Sequence, residues 1–287
     1  AREIDLNGHT WTCTGTDANS AAFEINYPNA SLTVKNGKIV SSQLIGLIPS
    51  AMGGTITYDN SEQANIPNFL RVRRNNTAVK DITFNPLSVP PATAASKSAA
   101  SGIETNGNNT NDAVTLKNST LNVPNGFGIY FPSSGTLTID NSTINAKTMG
   151  VQVCSGNLNI NEGSTITVSG DPVAKTEGDG AIQDGAAISI VNRPGYKGLD
   201  QVAITGGTFT AKDGNAALKA YSWDSSSKQE SPFDNADSKV TVSGGEFNGS
   251  LGLSNIEVSG GQFTDKEVAK HLKSGKAVLF NDGKYAV

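Results

Sequence analysis

Apolar and polar residues alternate in short runs that return along most of the chain. The phrase reads VTLKNSTLNV at 114–123, LTIDNSTINA at 137–146 and LNINEGSTITV at 158–168. It returns as VAITGGTFTA at 202–211, VTVSGGEFNG at 240–249 and IEVSGGQFT at 256–264, and LTVKNGKIV at 32–40 is an earlier copy. Each copy is an alternating run, an Asn/Gly/Ser corner and a second alternating run. A period of two places Val114, Leu116, Leu121 and Val123 on one side of a pleated chain. A helix would need apolar spacings of three and four, which are missing here. The Val, Ile and Thr content also favours strands. One such unit cannot bury its own apolar face, so the units must stack.

The anchors Leu116, Ile139 and Ile160 lie 23 and 21 residues apart. Between anchors runs a third apolar stretch: GIYF at 128–131, GVQV at 150–153, AISI at 187–190 and ALKA at 217–220. The pattern predicts an all-β fold, a single-stranded parallel β-helix (solenoid) with about 22 residues and three strands per coil. Right-handedness is expected because parallel crossovers are nearly always right-handed. Asn118, Asn141 and the Gly pairs 206–207, 244–245 and 260–261 mark sharp corners, where φ > 0 is needed. The intervals from Ile160 to Ile204 and from Ile204 to Val242 span 44 and 38 residues. Each contains one third strand, so each reads as a single coil with lateral insertions, at roughly 171–186, 192–200 and 223–238. The last two insertions should leave the same corner of adjacent coils and pack on each other.

The whole of 1–287 reads as one domain of roughly ten coils. Residues 1–112 are irregular N-terminal coils, with 43–80 and 86–112 as long excursions, and 113–264 are the regular coils. Residues 265–287 form a cap: a short helix in DKEVAKHLKSG, N-capped by Asp265, and a hairpin in AVLFNDGKYAV. A solenoid has to blunt its open sheet end, which such a cap would do.

Charged residues make up only 17% and the net charge is −4, which gives no reason to expect nucleic acid or an anionic membrane as partner. No segment is long and apolar enough to insert in a bilayer. A chain opening on AREIDLNG reads as a mature fragment whose signal peptide has been removed, and an extracellular or cell-surface location is expected. Cys13 and Cys154 stand too many coils apart to pair, and both are expected as free buried thiols. Six N-x-S/T sequons occur, but Asn118 and Asn141 are corner residues and the motif follows from turn geometry.

These coils resemble the parallel β-helix proteins of the pectate-lyase-like superfamily. More narrowly, IDLNGHT at the start and SGGQFTDKEVAKHLKSGKAVLFNDGKYAV at the end resemble units of secreted and cell-surface β-helix proteins of gut bacteria. The resemblance covers 113–287 well and 43–112 poorly. It implies architecture; fold-level similarity alone does not carry a function.

The enzyme relatives would carry an Asn-Thr-Asp strand, an Asp pair, a Gly-His-Gly and an Arg-x-Lys on consecutive coils, and that set does not occur. His9 reads as a turn residue and His271 as a solvated one. Two acidic groups stand out, Asp171, Glu177, Asp179 and Asp184, then Asp224, Glu230, Asp234 and Asp237. Calcium wants several oxygen ligands. Neither group has EF-hand spacing, so solvated loop carboxylates are the plainer reading, structural calcium is the alternative, and no other cofactor is called for. Asp200 and Asp224 are the pair that a glycosidase groove would need across the insertions. The basic run RVRR at 71–74 reads as a charged edge strand or as a clamp for sulfate or uronate. Aromatic residues in the insertions point to sugar stacking: Tyr196, Trp223 and Phe233, beside Arg193, Asp200 and Asp224. The opposing reading is that Trp223 and Phe233 pin a loop to the solenoid wall. The sequence thus points to a non-catalytic extracellular or cell-surface module, adhesin-like or glycan-binding, with a glycan or host-surface ligand as partner. A polysaccharide lyase or glycoside hydrolase, and a structural stalk, are the alternatives.

Overall fold

A computed structural model describes residues 2–13, 21–25, 30–41, 45–49, 54–64, 68–71, 80–84, 87–89, 101–105, 107, 112–173, 180–233, 239–252 and 256–287. Within 12–101, side chains are described at 32–36 alone. The architecture is a parallel β-helix with three strands per coil. A representative coil runs Asp112–Lys117, Thr120–Val123 and Phe127–Phe131, and the next runs Thr136–Asp140, Thr143–Ala146 and Met149–Val153. First strands pair with first strands, second with second and third with third, all parallel.

The register column Ile4, Val34, Tyr58, Phe84, Leu116, Ile139, Ile160, Ile204, Val242 and Val258 counts ten coils. From Leu116 to Val258 every side chain in it is buried. The long intervals are therefore single coils: Ile160 is paired directly with Ile204, and Ile204 with Val242. Inside the second sheet, Phe209, Phe247 and Phe263 stack with ring centroids 4.9 and 4.6 Å apart. Asn118 and Asn141 turn the first corner at φ 51° and 43°, and Gly207, Gly245 and Gly261 turn it at φ 107–121° in later coils. A Cβ on Gly245 would meet the Phe209 ring at 3.0 Å, so the glycine corner and the aromatic stack belong together.

Residues 43–80 and 86–112, read from the sequence as excursions, supply strands to the same ladders. Ile45–Pro49, Asn68–Arg71 and Ser101–Glu104 join the third sheet, Leu87–Val89 the second, and Gly54–Ala64 both the first and the second. The alternation is broken in this region because polar residues stand in register with apolar ones; Gln63, for instance, pairs with Ile39. Ala30–Ser41 and Gly54–Ala64 run unbroken through the first two sheets and join them. Asn68–Arg71 has a neighbour on each side, so the basic run begins in an interior strand and not an edge; 72–74 lie outside the described residues.

The C-terminal helix is shorter than expected. Lys266–Lys270 is a 3₁₀ turn, capped as predicted by Asp265, which accepts from the Glu267 amide at 3.0 Å. Of its apolar positions Val268 is buried and Ala269 is exposed. Five residues cannot present the i, i+4 face that an α-helix would, and the tighter winding leaves one anchor. His271 is half-buried, not solvated, and burial lowers its pKa. Beyond it the Val258 amide donates to the His271 carbonyl, and the Lys273 amide to the Val258 carbonyl, so 271–273 lies along the last first strand. The hairpin Leu279–Asn281 and Lys284–Ala286 turns at Asp282 and Gly283, both at positive φ, and covers Gln262–Phe263 of the last second strand.

Candidate functional site

The third sheet differs from the other two. Its strands bury both faces: Met149–Val153 is buried throughout, and the outward register column Tyr130, Gln152, Ser189 is buried as well. A near-continuous apolar strand is what two-sided burial requires. The cover comes from the insertion at 171–186. The Gln152 amide clasps the Ile182 backbone, donating to its carbonyl at 2.8 Å and accepting from its N–H at 2.9 Å. Thr148 Oγ1 donates to Gln183 Oε1 at 2.6 Å. Asp184 accepts from Ser189 Oγ at 2.8 Å, Tyr221 Oη at 2.9 Å and the Ala186 amide at 3.1 Å.

Under this cover lies a second apolar cluster, separate from the coil interior: Tyr130, Met149, Cys154, Ile182, Val191, Tyr221 and Trp223. The sequence-predicted site falls on it, and four of its six residues sit close together. Arg193 is buried. Its Nη1 donates to Tyr130 Oη at 2.8 Å and to the Gly180 carbonyl at 2.9 Å, and its guanidinium lies 4.8 Å from the centre of the Tyr196 ring. Tyr196 is half-buried and shares a 2.9 Å hydroxyl bond with Tyr130. Trp223 is 1% exposed, so neither ring face is open to a ligand. Asp224 is exposed, but its carboxylate accepts from Ser226 and Ser227 of its own turn, which hold its pKa down at about 2.

The other two lie elsewhere. Phe233 is buried against the main core. Asp200 is exposed on the first sheet, where the register skips it between Leu199 and Gln201; it is a bulge residue. The insertions at 192–200 and 223–238 do pack together, since Asn192 pairs with Ser222 and Arg193 Nη2 donates to Ser225 Oγ at 3.4 Å. The second folds back as a hairpin, Ala216–Asp224 against Gln229–Pro232, with a Lys219–Glu230 ion pair at 2.9 Å.

Burial sets the electrostatics of this layer. It raises Asp184 above the ordinary carboxylate range, against the pull of Lys219 and of the three donors. It raises Tyr130 and Tyr221, and pushes the Cys154 thiol up to about 12. Cys154 is a free buried thiol, and the Cys13 side chain lies outside the described residues. Among the described residues no group of three or more His, Cys, Asp and Glu is placed to hold a metal ion, and no helix is long and apolar enough to cross a membrane. Glu177, Asp179, Asp234 and Asp237 lie outside the described residues.

Sequence reasoning missed Tyr130, Gln152, Asp184 and Tyr221 as anchors of the cover. A signal was present: GIYF, GVQVC and ALKAYSW are too continuously apolar for a strand with one wet face. It also missed a trough on another side of the solenoid. At the corner between first and second strands, three coils enclose a cleft of about 460 Å³ lined by Glu162, Ser164, Thr165, Thr205, Thr208, Ser243 and the glycines 206, 207, 244 and 245. No protein-family model matches the chain, and no curated protein or solved structure is significantly similar to it.

Proposed function

We propose that this chain is a non-catalytic extracellular or cell-surface β-helix module, adhesin-like, that binds glycan, akin to the pectate-lyase-like β-helix proteins of gut bacteria. One observation carries the reading. The side where lateral loops would frame a catalytic groove is filled, and its polar groups bond within the protein: Asp184 to Ser189 and Tyr221, Arg193 to Tyr130 and Gly180, Asp224 to its own turn. On the outer face of the second strands Thr and Asn recur in register. Asn141 Nδ2 donates to Asn118 Oδ1 at 2.9 Å, and Asn145 Nδ2 to Asn122 Oδ1 at 2.8 Å, which sets successive amides in a row. Hydroxyls and amides both donate and accept, as sugar hydroxyls do.

A glycan array probed with the purified chain tests the proposal, with reducing and unsaturated sugar ends assayed on every polysaccharide that binds. Binding without release of ends is expected. Release of ends would establish an enzyme, and a blank array would leave the stalk.

A further inference from the structure

We infer that the outer face of the second sheet, with the glycine-floored trough beside it, is the docking surface for a neutral, hydroxyl-rich polysaccharide chain. The inference rests on the glycan-binding reading and deepens it by naming the class of ligand and its place.

Thr120, Thr143, Thr165 and Thr208 occupy one outward register column over four consecutive coils. Two residues along each strand, Asn122, Asn145, Thr167 and Thr210 occupy a second. All eight are partly exposed. Rungs about 4.8 Å apart, and residues roughly 7 Å apart along a strand, make a flat grid on the scale of a sugar ring. Each threonine offers a hydroxyl for a sugar hydroxyl and a methyl for a C–H face. The insertions at 171–186, 192–200 and 223–233 leave other corners, so none of their described residues covers this sheet.

The charge pattern selects the occupant. No ionisable side chain projects from either column over these four coils. In the next coil the first column continues as Glu246, which is neutralised by an ion pair with Lys284 of the hairpin. The trough is contiguous with the grid, because Thr165 and Thr208 line both. Glu162 is the only charged residue in its lining. A uronate or sulfate chain would find no cation in the trough and one repelling carboxylate; the nearest lysines, Lys147 and Lys212, lie two residues beyond the second column, and Lys212 is paired with Asp171. A neutral glycan finds matched uncharged partners.

The trough has room for one sugar unit, being within the roughly 300–1,000 Å³ of small-ligand sites. Its floor is bare backbone for a packing reason. A Cβ on Gly244 would lie 2.3 Å from the Thr205 carbonyl oxygen, and one on Gly206 would lie 3.0 Å from the Glu162 Cα. The coils can stack here only without side chains, and the hollow left over opens to solvent beside a row of hydroxyls.

The test is affinity electrophoresis and calorimetry of the whole chain with three soluble neutral polymers, mixed-linkage β-glucan, glucomannan and dextran. The carboxymethylated form of each serves as its anionic counterpart. Two substitutions at solvent-facing positions probe the surface, Thr165→Lys on the grid and Ser243→Arg at the trough, with thermal melts to show that both fold. The expected result is binding of at least one neutral polymer, weaker binding of its anionic form, and loss of at least tenfold in affinity in both variants. Neutral-polymer binding that survives both substitutions would overturn the placement and leave the glycan-binding reading standing. Binding of the anionic forms alone would overturn the ligand class. If neither form of any polymer binds, and sedimentation shows an association that Thr165→Lys dissolves, the face belongs to a second copy of the chain. If nothing binds at all, the inference and the reading beneath it fall together.

Discussion

Arg193 reaches across 63 residues of sequence to donate from Nη1 to the Tyr130 hydroxyl at 2.8 Å. The same guanidinium nitrogen holds the Gly180 carbonyl, so one side chain fastens a third-sheet strand to the 171–186 insertion. Arg193→Met should lower unfolding free energy by roughly 2–4 kcal/mol, since it strands buried acceptors. Arg193→Lys should recover less than half of the loss, because an ammonium lacks the planar fork. Urea titration measures both; full recovery by lysine would mean that charge alone matters here.

Trp223→Ala should act through the fold. The ring is buried beneath the 171–186 cover, and truncating a buried aromatic costs about 3–5 kcal/mol. Thermal melting of the variant beside glycan binding tests this. A normal melt with binding abolished would return Trp223 to a ligand-stacking role.

Inside and outside of a coil can be separated at neighbouring positions. Ile139 sits between Leu116 and Ile160 with no exposed surface, and Ile139→Ala should cost about 2–5 kcal/mol. Thr138 points outward, and Thr138→Ala should stay within about 0.5 kcal/mol. Equal effects would show that the register is wrong by one residue, since a single slip exchanges the two faces.

Asp184 should make stability depend on pH. Burial raises its native pKa above the 3.8 it has as a free side chain. The folded chain therefore keeps this proton to higher pH than the unfolded chain. The stability it contributes is complete below 3.8 and is lost as pH rises through the raised native value. Asp184→Asn carries a constant offset from its lost acceptor but no titration at this site. Urea midpoints at pH 3, 5 and 7 should therefore shift progressively in favour of the variant. Parallel curves for the two proteins would mean that the three donors outweigh burial.

Cys154 should resist alkylation. With its thiol pushed up to about 12 and no exposed surface, iodoacetamide at pH 8 should leave it unlabelled in the folded protein and label it in denaturant. Peptide mass mapping reads this out, and native labelling would mean that the 171–186 cover opens freely.

The coil pattern was legible because it is written in strict alternation. Leu116, Ile139, Ile160, Ile204, Val242 and Val258 form one column in the order their spacing implied, even across two insertions. The early coils were obscured by polar residues such as Gln63 that stand in register with apolar ones. The site was legible as a neighbourhood only. Arg193, Tyr196, Trp223 and Asp224 do meet, but the sequence does not say which way a side chain faces once an insertion doubles back. Gln152 and Asp184 settle that: they draw the 171–186 insertion over the sheet and turn an aromatic platform into an interior. The trough was invisible because it is made of what glycines lack.

Ten rungs in register, repeating at about 4.8 Å, reproduce the backbone spacing of a cross-β fibre. In a fibre every terminal rung is a template that recruits the next molecule. Here residues 271–273 occupy the edge of the last first strand, and Lys284–Ala286 occupies the edge of the last second strand. The chain thus supplies its own final layer, a single parallel bridge at Leu272 on the first sheet and an antiparallel strand at Lys284–Ala286 on the second. Those closing residues act as a terminator: they set the length of a stack whose interior holds no other instruction to stop, and without them one molecule's end would become the next one's seed.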